Sequence, residues 1–129
     1  MQQKRFKEKL KEKSGFLVIV ELTSGPDFSL VPIEKFLEAY QSRKTDFQFE
    51  GFDFVAITST DNSGGTPNIE PLNVFSHLKS KGLLDDLDFI PHISCKDKNS
   101  DALISSLAGF KVSELETLLV VTGDKPDKG

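Results

Sequence analysis

Four polar side chains stand in the C-terminal halves of four apolar segments: Glu21, Thr58, His92 and Asp124. Carboxylate, hydroxyl and imidazole groups hydrogen-bond ligands and exchange protons, so a set of this kind could bind and act on a small molecule. Each has an ordinary interpretation when taken alone. Glu21 could lie where a strand emerges at the surface, and His92 could be a hydrogen-bonded core residue. The Gly123-Asp124 pair is common turn chemistry.

The apolar segments predict the strands that would position these residues. They cover residues 16–21, 52–58, 88–95 and 117–122, and Leu118–Val121 is typical of a strand buried on both faces. Helical stripes of apolar residues precede and separate the strands, and no hairpin signal joins any two of them. The pattern predicts an α/β fold of parallel strands with crossover helices. Because the carboxyl ends of parallel strands meet at one rim, four polar residues there favour a functional site.

Helix boundaries are predicted from capping residues. Thr66 as N-cap with Pro67 in the first turn would start the third helix, which would stop at Gly82. Ser100 is a plausible N-cap of the last helix. The apolar face of that helix would hold Leu103, Ile104 and Leu107.

Composition restricts the classes of function. The first 14 residues hold six of the 16 basic groups and two of the 20 acidic ones, so the remaining chain carries a net charge of −8. An acidic body argues against a nucleic-acid groove. The single Cys95 favours a reducing cytoplasm, and no apolar run is long enough for a membrane span. No metal site is expected, because His92 has no second His or Cys at ligand spacing.

The basic N-terminal segment has two interpretations. Residues 3–13 are helix-like, with Phe6 and Leu10 on one face and Lys or Glu elsewhere. A basic amphipathic helix could lie on a membrane or on nucleic acid. Two apolar anchors are few for that role, so a helix that covers one end of the domain is the favoured interpretation. The chain is then one domain, with residues 1–14 as this helix and residues 15–129 as four β/α units.

Four motifs in register resemble one family. They are Phe16–Glu21 after the Lys-rich helix, Asp53–Thr58 leading to Gly64-Gly65-Thr66, Pro91–Cys95, and Thr122–Pro126. Together they resemble methylenetetrahydrofolate reductase, in the bacterial branch that is fused to a homocysteine methyltransferase. The resemblance implies a (β/α)8 barrel that binds FAD at its C-terminal rim. Such a barrel takes roughly 250 residues, so the chain would be its N-terminal half, either as a fragment or as one of two halves that assemble.

The family's reaction reduces 5,10-methylenetetrahydrofolate to 5-methyltetrahydrofolate with electrons from NAD(P)H. The resemblance implies that Glu21 is the general acid that helps open the folate ring, and that Asp124 fixes the pterin and tunes the flavin. A strand-end Glu walled by apolar side chains could hold the proton that this role needs. The positions that match flavin contacts are Thr58, Ser59, His92, Thr122, Gly123 and Asp124.

Two classes of function follow from the sequence. The first is a flavin-dependent folate reductase in the cytoplasm, with a second half barrel or a second copy of the chain as a possible partner. The alternative is a truncated, non-catalytic half barrel that keeps the fold but lacks FAD, as a remnant or as a partner-binding subunit. Thr122 stands where many members of the family carry Arg, and Ser59 replaces a common Tyr. Neither class involves nucleic acid or a membrane.

Overall fold

Helices and strands alternate through the part of the chain that the structure, a computed structural model, describes: residues 5–12, 15–24, 27–47, 52–62, 67–96 and 98–123. In these residues the helices are α1 (Arg5–Glu12), α2 (Val31–Ser42), α3 (Pro71–Ser80) and α4 (Ser100–Val112), and a short 3-10 helix (Lys44–Phe47) follows α2. The strands are β1 (Phe16–Leu22), β2 (Phe52–Ser59), β3 (Asp88–Ser94) and β4 (Leu119–Val121). None of the described helices is long and apolar enough to cross a membrane.

The strands form a parallel sheet in the order β1-β2-β3-β4. Both the order and the direction confirm the prediction from the alternating pattern. Each connection between neighbouring strands passes through a helix, and the sheet curls into an α/β half-barrel. The carboxyl ends of the strands therefore lie along one rim.

The main core lies between the sheet and helices α2 and α3. Its fully buried members include Leu37 and Tyr40 of α2, Leu78 of α3, and Ile57 and Phe89 of the central strands. Burying one such apolar side chain contributes about 1.5–3 kcal/mol. Strand β3 is buried along its whole length, as expected of a strand with neighbours on both sides and helices over it.

Helix α1 closes the opposite end of the half-barrel from the rim. Phe6 packs against Val55, Ala56 and Ile90, a small cluster on the inner side of the sheet. The backbone N–H of Phe6 donates to Asp88 Oδ2 at 2.6 Å, at the start of β3. The described helix α1 therefore covers this end of the sheet, although Leu10, the second expected anchor, is 57% exposed.

The outer strands are less buried than their sequences predict. The prediction that Leu118–Val121 is buried on both faces is wrong, because Leu119 is 47% and Val120 60% exposed. Strand β4 has only three residues and lies at an edge of the sheet. Ile104 on α4 is also exposed, at 64%. The predicted apolar face of α4 is thus only partly buried, through Leu103.

Two predicted helix starts are wrong. Helix α3 begins at Pro71 after Glu70, four residues later than Pro67, and Thr66 lies outside the described residues. Helix α3 starts later than predicted because Asn68 and Ile69 hydrogen-bond the loops after β2 and β1. In α4 the N-cap is Asn99, whose Oδ1 accepts the Ala102 N–H at 2.9 Å, so Ser100 is the first helical residue.

Candidate functional site

A cavity of about 300 Å³ opens at the C-terminal rim of the half-barrel. All four strands, or the loops that follow them, contribute to it. Its described lining residues are Glu21, Thr60, Asp61, His92, Leu119, Val121, Thr122 and Gly123. We call it the rim cavity.

Strand register explains why residues far apart in sequence face the rim cavity together. Glu21 of β1 is level with Thr58 of β2, and Thr58 is level with Ile90 of β3. His92 is two residues beyond Ile90, so it faces the same side of the sheet. His92 is in turn level with Leu119 of β4. Paired residues of parallel strands share a face, which places this set inside the half-barrel.

The structure brings together most of the predicted site residues that it describes. Those that line the rim cavity are Glu21, His92, Thr122 and Gly123. Thr58 faces the same side as Glu21 but does not line the cavity. Ser59 is buried on the helix-facing side, the side of Ile57 two residues earlier. The flavin contacts of Thr58 and Ser59 remain predictions, and Asp124 lies outside the described residues.

Glu21 occupies an open position. It lies on β1, an edge strand, and its side chain is exposed to solvent. The expected apolar wall around this carboxyl group is not formed by the described residues. A further element beside β1 would be needed to enclose it.

His92 is a buried polar residue whose Nε2 has no hydrogen-bond partner among the described residues. It is only 7% exposed, and its Nε2 makes no hydrogen bond with any described group. Burial lowers the pKa of His92, although the negative charges of Glu21 and Asp61 oppose that shift. The imidazole is therefore neutral at neutral pH and offers one N–H and one lone pair. Because buried polar atoms are nearly always hydrogen-bonded, Nε2 is a candidate contact for a ligand.

Asp61 is a site residue that the sequence analysis missed. It is 8% exposed, accepts the Ser94 N–H at 2.8 Å, and forms an ion pair with Lys98. Asp61 and His92 line both the rim cavity and a smaller cavity of about 50 Å³ beside it. The only local signal was a carboxylate just after a strand, the same signal that singled out Glu21.

Hydrogen bonds between loops fix one wall of the rim cavity. The hydroxyls of Thr23 and Thr60 hydrogen-bond each other, and Asn68 Nδ2 donates to both, at 3.2 and 3.1 Å. The backbone N–H of Asn62 donates to Asn68 Oδ1 at 3.0 Å. The Ile69 N–H donates to Ser24 Oγ at 3.1 Å. These bonds tie the loop after β1 to the loop after β2, and they keep residues 67–70 out of α3.

Gly123 lets the chain after β4 approach β3 closely. Its φ of +100° suits glycine, and an added Cβ would lie 2.6 Å from Ser94 Oγ and still closer to Lys96 Cβ. No larger residue fits without moving one of these groups. The sequence singled out Gly123 through its place in the Thr122-Gly123-Asp124 turn, and the structure supplies the steric reason.

The fold and the rim cavity define the class of protein: an α/β half-barrel with a candidate ligand site at the C-terminal ends of its strands. No family model, no curated protein and no solved structure matches the chain. The function is therefore inferred from the lining residues and from the resemblance of the sequence motifs.

Proposed function

We propose that the chain is the flavin-binding half barrel of a reductase that converts 5,10-methylenetetrahydrofolate to 5-methyltetrahydrofolate with NAD(P)H. The observation that carries the proposal is the buried, unpartnered Nε2 of His92 in the same cavity as Glu21. A neutral hydrogen-bonding group beside a carboxyl group suits a cofactor contact next to a proton donor.

The described residues fit the ring system of a flavin. His92 Nε2 would hydrogen-bond a polar edge of the ring, Leu119 and Val121 would cover an apolar face, and Gly123 allows close backbone approach. The volume of about 300 Å³ is at the lower end of the range of about 300–1,000 Å³ for ligand pockets. None of the described lining residues is Lys or Arg, so the diphosphate of FAD would be held elsewhere. When bound, the flavin supplies hydride-transfer chemistry.

Glu21 would deliver the proton that opens the folate ring. Its carboxyl group faces the rim cavity, within the space that the ligand would occupy. A general acid must hold its proton near neutral pH, and removal of water favours the neutral form of a carboxyl group. A second half that covers β1 would remove that water. Full activity therefore depends on completion of the barrel.

Flavin binding tests the proposal directly. FAD added to the purified protein should lose fluorescence and shift its visible absorbance. His92→Leu should weaken binding by about tenfold, the value of one lost buried hydrogen bond. The matched control is His77→Leu: His77 lies on α3, where its Nε2 hydrogen-bonds Glu34 Oε1 at 2.6 Å, away from the rim cavity. Absence of FAD binding, or equal loss in both variants, would contradict a flavin site at His92.

A partner-binding half barrel is the second candidate, because both edges of the sheet expose apolar side chains. Phe16 and Ile19 on β1 are 64% and 40% exposed, and Val120 on β4 is 60% exposed. Exposed edge strands of this kind recruit further strands. A second copy of the chain would pair its β4 with β1 and its β1 with β4, which closes eight parallel strands and completes the rim.

Self-association of the 129-residue protein checks this second candidate. Sedimentation equilibrium should give twice the chain mass of 14.3 kDa. Val120→Lys should shift the protein toward the monomer, because a charge at an edge strand blocks pairing. Ser76→Lys is the control, since Ser76 is exposed on α3, over the centre of the sheet. A wild-type protein that stays monomeric at high concentration would rule out closure by a second copy.

A further inference from the structure

The Asp61–Lys98 ion pair joins three segments of the rim. Asp61 follows β2, the Ser94 N–H that it binds ends β3, and Lys98 lies in the loop that leads into α4. The pair is enclosed, with side-chain exposures of 5% for Asp61 and 18% for Lys98. His92 lies next to it, because Asp61 and Lys98 both line the smaller cavity with His92. An ion pair this enclosed is costly to form unless its geometry is well satisfied.

We propose that Asp61 and Lys98 are a positioning pair for His92: the pair ties the loop after β2 to the end of β3 and to the loop before α4, and Lys98 weakens the effect of the Asp61 charge on the imidazole. The pair acts through His92 and does not itself contact the reacting atoms. The identity of the ligand rests on the proposed function, whereas the action of the pair on His92 does not. Under the proposed function, the part of the ligand at His92 is the uncharged isoalloxazine ring of the flavin.

The pairing of Asp61 matters because several ionisable groups lie near the imidazole. Glu21 faces His92 across the rim cavity, and Glu70 and Lys98 line the smaller cavity with it. Asp61 lines both. The carboxylates of Glu21 and Asp61 favour the imidazolium, and burial opposes it. Lys98 pairs with the carboxylate of Asp61. Without Lys98, the charge of Asp61 would favour the imidazolium more strongly, and an imidazolium cannot accept a hydrogen bond through Nε2.

Loop geometry gives the pair its second effect. The carboxylate of Asp61 has two partners on different segments, so the β2–α3 and β3–α4 loops cannot separate without breaking a charged hydrogen bond. Asp61 lines both cavities together with His92, and Lys98 lines the smaller one. Loss of either charge leaves the other buried and unpaired, which is the costly outcome for an enclosed pair.

The titration of His92 in the flavin-free protein is the first test. The chain has two histidines, so NMR follows both, with His77 as an internal reference. Asp61→Asn removes a negative charge and leaves Lys98 unpaired, so the pKa of His92 should fall. Lys98→Gln should raise it. The double variant should return it toward the wild-type value, and Lys98→Arg should leave it unchanged.

Flavin affinity is the second test, with FAD as the probe. Each single neutralising variant should weaken FAD binding by about tenfold, and the double variant should recover most of that loss, because the two residues act as a unit. If Asp61→Asn does not fold, the comparison of Lys98→Gln with Lys98→Arg decides the question at the more exposed end of the pair.

The outcomes separate the two proposals. If both single variants move the His92 titration in the same direction, or leave it unchanged, the pair is merely structural and the inference is overturned. If the titrations move in opposite directions but the wild-type protein binds no FAD, the positioning pair stands and the flavin function fails. The His77 titration should stay constant in every variant.

Discussion

Under the proposed function, Glu21→Gln is expected to slow folate reduction by about 10²–10⁴-fold and to leave flavin reduction by NAD(P)H nearly intact. The comparison applies to the assembly in which the barrel is complete. Hydride transfer into the flavin needs no proton on the folate, whereas opening of the folate ring does. Gln keeps the size of the side chain and its place at the rim but cannot donate the proton.

Stopped-flow measurement of the two half-reactions checks this expectation. Glu38→Gln is the control. It makes the same chemical change at an exposed residue of α2, away from the rim cavity. It should leave both half-reactions unchanged. Equal loss of both half-reactions in Glu21→Gln would instead show that the residue supports the flavin site as a whole, and its assignment as general acid would be wrong.

The order and direction of the strands could be predicted from the sequence because they follow from local residue patterns. Each strand is an apolar run of strand length, and each connection carries a helical stripe such as Ile33, Leu37 and Tyr40, all buried in α2. Parallel pairing then follows, since helices separate the strands. The convergence of Glu21 and His92 on one cavity follows from the same rule, because parallel strands end at one rim.

The burial of side chains on the edge strands could not be predicted from such local patterns. Val120 and Ile93 both sit in apolar runs, yet Val120 is 60% exposed and Ile93 3%. The difference depends on what packs beside each strand, which an apolar run does not encode. The pairing of Asp61 with Lys98 is similar, because 37 residues separate them and only the fold brings them together. The start of α3 was missed because Asn68 and Ile69 bond to the loops after β1 and β2.

The second large effect is expected at Gly123. Gly123→Ala should destabilise the protein by about 3 kcal/mol, because it combines a disfavoured positive φ with a steric overlap. The new Cβ would lie 2.6 Å from Ser94 Oγ. Either the turn after β4 or the end of β3 must move, and that movement would displace Thr122 from the rim cavity. Flavin binding should weaken together with stability.

Gly82→Ala is the comparison for the two causes of destabilisation at Gly123, which are backbone strain and steric overlap. Gly82 also has a positive φ, +68°, but an added Cβ there meets no atom within 4 Å. Backbone strain alone should cost about 1 kcal/mol. Urea denaturation of both variants then gives, as the difference between the two losses, the overlap at Gly123 together with the added strain of its φ of +100°. Equal losses would mean that the chain after β4 relaxes freely, and that close approach of Gly123 to Ser94 does not shape the rim cavity.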